Sequence, residues 1–381
     1  MFKLLKKLYN KVIGLGQKTS LYFRFYKNRA SLIDCATYYP ECDRKSQKEI
    51  LQDQLYFIRK YGDYEPFYFA YGFDRKEMTR ERMTSEYLMP YQSFQAKINQ
   101  LNNNNPSFLY TSRVITADKF YFNVFLERFG IPTPPLYCYI KDKQILYCDV
   151  QFKIDSQKKP YEQLEQLFSN DMDAFCKPSS GQLGNGIFAL KVENSKIFID
   201  GKQIEKSKLI EFLLSANYLV QKRIYQHPIM NTLCDSTINS IRLQTVMTKE
   251  GVVVPFGAGL RMGRKGSSVD NWAKGGVFVG INMENGKLMA TGILKPQYGT
   301  STKEHPDTHI VFKDFEVPFY KEAEKMAVEL HKRLYRCHSV GWDIAITEDG
   351  PMFIEGNGLW EISLVQATHG GLKKQIEKYF E

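Results

Sequence analysis

Near its end the chain reads VGWDIAITEDGPMFIEGNG, with Asp343 twelve residues ahead of Glu355 and Asn357 two residues further on. Acids stand here where a β-strand would ordinarily carry something apolar or neutral. Positions i and i+2 of a strand point to one side, so Glu355 and Asn357 would present two oxygen ligands together. Hard oxygen donors converging on one sheet face suit Mg²⁺ held with substrate phosphates. A solvated polar hairpin is the other reading of the same residues. For Asp343 to face Glu355 across a hairpin, the spacing predicts an odd-numbered loop, Glu348-Asp349-Gly350, with Gly350 left-handed.

Further upstream, Lys177-Pro-Ser-Ser-Gly-Gln-Leu-Gly-Asn-Gly-Ile187 is a glycine loop whose successive N–H groups could cradle phosphate oxygens. No Gly-Lys-Ser/Thr follows and the next element reads as a strand, so it is neither a Walker A loop nor a dinucleotide fingerprint. It could equally be a plain turn. Lys177, ending an apolar strand just before the glycines, could reach phosphate as a compact point charge. Lys119 follows the capping Asp118 in the first turn of a helix, the unfavourable end of the dipole for a cation. A phosphate bound at that N-terminus would account for it, as would simple exposure. Arg242 and Arg261 each interrupt an apolar strand and would face away from their hydrophobic neighbours. On the face that Asp343 lines they could stabilise charge on a transferred phosphoryl group; otherwise they are exposed strand arginines. The polar stretch Arg264–Gly276 reads as a substrate loop with Asp270 and Asn271 as contacts. For His305 and His369 a structural role outweighs a catalytic one.

These groups need a frame to hold them. Residues 45–100 read mostly as helix. Asp118 caps a helix running to Glu127, closed by Gly130 and the Pro132/Pro134/Pro135 cluster. Short strands and helices alternate over 135–220, with a strand ending at Lys177, the next starting at Ile187, a helix at Lys206–Ser215 and a strand at Tyr218–Ile224. Strands dominate from Ile238 to Ile293, and a helix over Phe319–Arg336 precedes the acidic hairpin. This mixture indicates an α+β (mixed α/β) class.

The chain has 381 residues, enough for two or three domains, and its composition is that of a globular protein. The net charge of +10 is concentrated: residues 1–30 hold eight Lys/Arg and no acid. A nucleic-acid-coating protein would spread its basic residues over a binding face, so that class is set aside. Residues 1–30 read as a basic amphipathic segment, either an anchor on an anionic membrane surface or a helix packed on the body. No apolar run is long enough to span a bilayer, and the pattern of a signal peptide is missing. Seven cysteines without a CxxC pair fit thiols in a reducing cytoplasm.

In this order, a lysine opening a helix that ends in FGIPTPP, Lys177-Pro178 with its glycine loop, VQKRI, then Asp343 and Glu355-x-Asn357 resemble the ATP-grasp superfamily. YGFDRKEMTRERM, NSIRLQT, GLRMG, VDNWAKGG, HPDT and VGWDIAITEDGPMFIEGN are similar to the sugar-transfer-associated ATP-grasp proteins, over roughly residues 65–370. The resemblance implies a nucleotide held between two α+β subdomains, 116–222 and 223–381, preceded by a helical region over 31–115. It implies that Lys119 and Lys177 contact the phosphates of ATP and that Ser180, Gly181, Gly184 and Gly186 close over them. Gln221, Lys222, Arg223 and Ile224 would hold adenine, Asp343, Glu355 and Asn357 would ligate Mg²⁺, and Arg242 or Arg261 would assist phosphoryl transfer. HPDT would add His305 to the substrate side with Asp270 and Asn271. Two departures stand out: the usual acid of the adenine hinge is Gln221 or Lys222, and His309 replaces an expected glycine.

The expected activity is that of a cytoplasmic, ATP- and Mg²⁺-dependent, ADP-forming carboxylate–amine ligase working through an acyl phosphate. Its expected setting is capsule or exopolysaccharide assembly at the inner face of the membrane, with a small-molecule or lipid-linked sugar acceptor and no nucleic acid. A kinase on the same fold and a non-enzymatic basic membrane-binding protein are the alternatives. The carboxylate, the acceptor and the oligomeric state are left open.

Overall fold

A computed structural model describes residues 20–90, 92–103, 115–179, 186–267, 270–334 and 337–380. Ser180, Gly181, Gly184 and most of the basic N-terminal segment lie outside the described residues. The chain divides into two compact units. One holds the described residues up to Lys97 together with Ile293–Thr302 and Glu361 onward; the other holds Ile98–Gly292 and Lys303–Trp360.

The first unit is helical. Its longest helix among the described residues, α1 (Gln47–Tyr61), starts on a capping box in which Ser46 and Glu49 exchange side-chain and backbone hydrogen bonds, and ends on left-handed Gly62. Ile50, Phe57 and Ile58 face inward, where Phe57 meets Tyr68 and Phe73. Buried Asp53 is neutralised by Lys45 at 2.8 Å and Arg80 at 2.7 Å, and Tyr68 donates to it at 2.8 Å.

The second unit carries two antiparallel sheets. The first contains β1 (Leu136–Lys141), β2 (Gln144–Cys148), β3 (Met172–Pro178), β4 (Phe188–Glu193), β5 (Lys196–Ile199), β6 (Lys202–Ile204) and β7 (Tyr218–Lys222), in the order β2-β1-β7-β3-β4-β5-β6. Alternation along these strands gives them two unlike faces. Cys138, Ala174, Cys176, Leu190, Val192 and Val220 are buried with Leu164, Leu167, Leu209, Ile210 and Leu213 from helices α2 (Pro160–Leu167) and α3 (Lys206–Ser215). On the opposite face Leu219 stands between Tyr139 and Lys177 in the cross-strand register, and Gln221 between Leu136 and Phe175.

The second sheet contains β8 (Ser240–Met247), β9 (Val253–Met262), β10 (Val277–Ile281), β11 (Leu288–Ile293), β12 (Ser339–Thr347) and β13 (Gly350–Asn357), ordered β11-β10-β9-β8-β12-β13 within this unit. Helix α4 (Tyr320–Arg333) buries Ala323, Ala327, Leu330 and His331. His331 meets the sheet face that carries Trp342 and Thr245.

The hairpin β12–β13 reaches the predicted pairing by another route. Thr347 pairs with Gly350, so the loop is the two residues Glu348-Asp349, with Gly350 at φ 113°. That register alone would set Asp343 opposite Ile354. A bulge between Asp343 and Ile344 absorbs one residue of β13 and brings Glu355 opposite Asp343.

Candidate functional site

The long-range register of the second sheet assembles the site. Asp343 on β12 pairs with Glu355 on one side and with Arg242 on the other, and Arg242 pairs with Gly259. All these positions share one face, as do Ser240, Gln244, Arg261, Gly341 and Asn357, two residues along their strands. The arginines are therefore on the face that Asp343 lines. Arg242 approaches the two carboxylate oxygens of Asp343 with Nε at 2.8 Å and Nη2 at 3.2 Å, and Arg261 Nη2 approaches at 3.3 Å. Asp343 is only 5% exposed. A charge so buried is tolerable because two guanidinium groups surround it.

The lysines arrive from the other elements of the same unit. Asp118 caps the helix Lys119–Arg128 by accepting from the N–H groups of Phe120 and Tyr121. Lys119 anchors its backbone N–H on Ser179 O at 3.2 Å, at the start of the glycine loop, and extends Nζ to 3.5 Å from Glu355 Oε1. Lys177 is the penultimate residue of β3 and is 6% exposed. Burial pushes its pKa down to about 8; Glu355 and Asp343 oppose the drop and Lys119 adds to it. The electrostatic link ties Lys177 of the first sheet, and Lys119 of the helix, to the acids of the second sheet. Lys119, Lys177, Arg242 and Arg261 outnumber Asp343, Glu355 and Asp270, an excess that suits a polyanion.

Ser179 and Gly186 are the described flanks of the glycine loop, which joins β3 to β4 as a hairpin in which Cys176 pairs with Phe188. Tyr218 donates its hydroxyl to Gly186 O at 2.8 Å, and a Cβ on Gly186 would lie 2.9 Å from that hydroxyl. With φ at +74°, the position takes glycine on both counts.

The donor set fits a hard cation in composition. Arg242 Nη2 donates to Asp343 Oδ2, whereas Oδ1, though ion-paired with Arg242 Nε, is buried without a hydrogen-bond partner in the protein. Glu355 is half-exposed, and the Nδ2 of Asn357 is buried without a hydrogen-bond partner in the protein. Two carboxylates and an amide oxygen suit Mg²⁺ that is also held by phosphate oxygens.

The hinge residues divide. Gln221 is buried on the Lys177 face and donates from Nε2 to Pro134 O at 3.2 Å. Lys222 is exposed on the other side of its strand. Arg223 pairs with Asp173 at 3.7 Å, and Ile224 is half-buried just beyond. Asp173 supplies an acid beside the hinge from the neighbouring strand, and with Ala189, Lys191, Phe198 and Arg223 it lines a groove of about 260 Å³. Sequence reasoning, looking for an acid within VQKRI, missed Asp173.

The loop residues expected to meet substrate are occupied within the protein. Asp270 accepts from the Ser240 backbone N–H at 3.1 Å and from its hydroxyl, and pairs with Arg261 at 3.3 Å. Asn271 caps a short turn by accepting from Ala273 N–H at 2.8 Å. His305 is fully buried: its Nε2 lies 2.9 Å from Gly263 O, and its Nδ1 accepts from the N–H groups of Asp307 and Thr308. Asp307 in turn holds Arg264 through two oxygens at 2.8 and 2.9 Å. These groups brace the loop from inside it.

Gln244 was also missed. It is 1% exposed, lies on the site face opposite Gly341, and neither its amide oxygen nor its nitrogen has a hydrogen-bond partner in the protein. An unpaired buried amide costs about 1–3 kcal/mol, which marks it as a candidate for ligand or solvent contact. A Cβ on Gly341 would sit 2.8 Å from Trp360 Cβ, so the indole closes over this end of the site.

The family model for sugar-transfer associated ATP-grasp matches residues 100–379. No curated protein matches the chain. Among solved structures, N5-carboxyaminoimidazole ribonucleotide synthetase from Thermotoga maritima is similar at 12% identity and TM-score 0.32, over 64% of this chain and 42% of that one. L-amino acid ligase from Bacillus licheniformis is similar at 10% identity and TM-score 0.36, over 78% and 55%. D-alanine–D-alanine ligase from Bacillus anthracis, complexed with ATP, is similar at 15% identity and TM-score 0.35, over 70% and 61%. The first three matched structures are covered over 42%, 46% and 45% of their own length, less than half of each.

Proposed function

The chain belongs to the sugar-transfer associated ATP-grasp family, and on that footing we propose that it is an ATP- and Mg²⁺-dependent, ADP-forming carboxylate–amine ligase. The observation that carries the reading is the meeting of buried Lys177 and of Lys119 with the Arg242–Asp343–Glu355 row. Cations there outnumber acids around carboxylate and amide oxygens, which suits a nucleotide triphosphate accompanied by a divalent ion. Glu355, Asn357 and Oδ1 of Asp343 would hold Mg²⁺, which would supply neutralisation of phosphate charge.

In this reading Lys119 and Lys177 draw charge from the phosphates, and Arg242 and Arg261 face the phosphoryl group as it passes to a substrate carboxylate oxygen. The resulting acyl phosphate is attacked by an amine, and its C–O bond breaks to release phosphate. Positioning and fixed charge supply most of the acceleration. The family's description supports a sugar-bearing acceptor, small or lipid-linked, and a setting in surface-polysaccharide assembly.

The test is incubation with Mg-ATP, a panel of sugar acids and amino acids, and ¹⁸O-labelled carboxylate. A ligase releases ADP and phosphate carrying one ¹⁸O. Phosphate retained on a hydroxyl product would replace this reading with a kinase, and release of AMP would refute both. Glu355→Gln is expected to lower turnover by about 10²-fold or more with little change in stability. Asp343→Asn is a poorer probe, because it strips the mostly buried Arg242 of its counter-charge and so lowers stability as well as activity.

A further inference from the structure

Residues 20–27 form a helix in the first unit that is anchored on one side only. Leu21 and Phe25 are buried with Leu32, Ile33 and Ile58, and the Phe25 ring lies 5.8 Å from that of Tyr64. These contacts set the rotation of the helix. At about 100° per residue, Tyr22, Tyr26 and Phe23 then form one continuous arc on the far side, with Lys27 and Arg24 following it around the helix. The arc is open: Tyr22 is 41% exposed, and Phe23 and Tyr26 are each 71% exposed. Three adjacent large aromatics left in water on one short helix call for a partner.

We propose that this arc docks on an anionic lipid surface. Aromatic rings beside basic side chains are the composition that settles at the headgroup level, where a ring finds acyl chain and a cation finds lipid phosphate. The charge of the surrounding segment agrees, since residues 1–30 hold eight Lys/Arg and no acid. No helix among the described residues is long and apolar enough to cross a membrane, so the contact would be peripheral. The proposal is independent of the ligase reading. It would bring the protein to the surface where a lipid-linked acceptor resides.

The test uses the full chain carrying Phe23→Trp, mixed with vesicles of phosphatidylcholine alone or with about a third phosphatidylglycerol. Binding confined to the anionic vesicles, with a blue shift of the new indole relative to the same protein without vesicles, is expected. Combined Tyr22→Ser, Phe23→Ser and Tyr26→Ser should weaken vesicle partitioning by about tenfold or more, with circular dichroism and Mg-ATP affinity unchanged. Unchanged partitioning of the triple variant, or equal binding to neutral vesicles, would overturn the proposal. So would emission already blue-shifted without vesicles, which would show that the protein itself covers the arc. Concentration-dependent dimerisation lost in the triple variant would reassign the arc to a second copy of the chain.

Discussion

An ammonium buried at the end of an apolar strand holds its proton weakly until an anion arrives. Lys177, with its pKa near 8, is in that position. Between about pH 8 and the ordinary lysine value the unfolded chain binds a proton that the native protein does not, so native stability rises with pH across that window. Affinity for a triphosphate moves the other way, because it needs the charged form. Calorimetric titration with Mg-ATP near pH 8, in buffers of different ionisation heat, should show uptake of about half a proton. Lys177→Met should abolish the uptake; an unchanged value would place the titrating group elsewhere. Gln244 offers a test of opposite character. Its amide is buried with no partner, so Gln244→Leu is expected to stabilise the protein by about 1 kcal/mol, or a few degrees in melting temperature. The same change should reduce turnover, and a variant that is stabilised at full activity would assign the amide no part in ligand binding.

At the scale of elements, helix α4 is tied to the site-bearing sheet through a buried histidine. His331 lies 2.7 Å from Thr245 Oγ1 through Nδ1 and 2.8 Å from Cys337 O through Nε2, and Trp342 donates its indole N–H to the same threonine at 2.8 Å. Only one neutral arrangement satisfies all three: Nε2–H donates to the carbonyl, and Nδ1 accepts from the threonine hydroxyl. Burial accordingly lowers the pKa of His331 to about 4. The unfolded chain therefore takes up a proton that the native protein refuses as pH falls from about 6.5 to 4, and stability on the order of 3 kcal/mol is lost across that interval. Urea unfolding of the wild type against His331→Gln measures it, and equal pH slopes for the two would sink the assignment. The hairpin shows the same dependence of chemistry on element geometry. Its two-residue turn has the wrong parity for the site, and the bulge on β13 restores it.

Across the whole molecule, charge and core are separately disposed. The basic excess sits in the first thirty residues, while Lys119, Lys177, Arg242 and Arg261 sit inside the second unit, next to acids that nearly balance them. Local chemistry was legible in the chain alone. The cap at Asp118, the helix Lys206–Ser215, the strand ending before the glycine loop, and the shared side of Glu355 and Asn357 all follow from interactions among residues a few positions apart. The ATP-grasp assignment also came from ordered short motifs. The tertiary structure alone decided which strands became neighbours. Arg242 meets Asp343 across a separation of 101 residues, and buried Lys177 feels the charge of Glu355 and Asp343 from the second sheet. It also turned Asp270, Asn271 and His305 into the internal braces of their loop, and exposed Asp173 and Gln244 as candidates that no motif marked. Pairing register and burial are set by contacts between distant segments, so residue type and spacing within one segment cannot specify them.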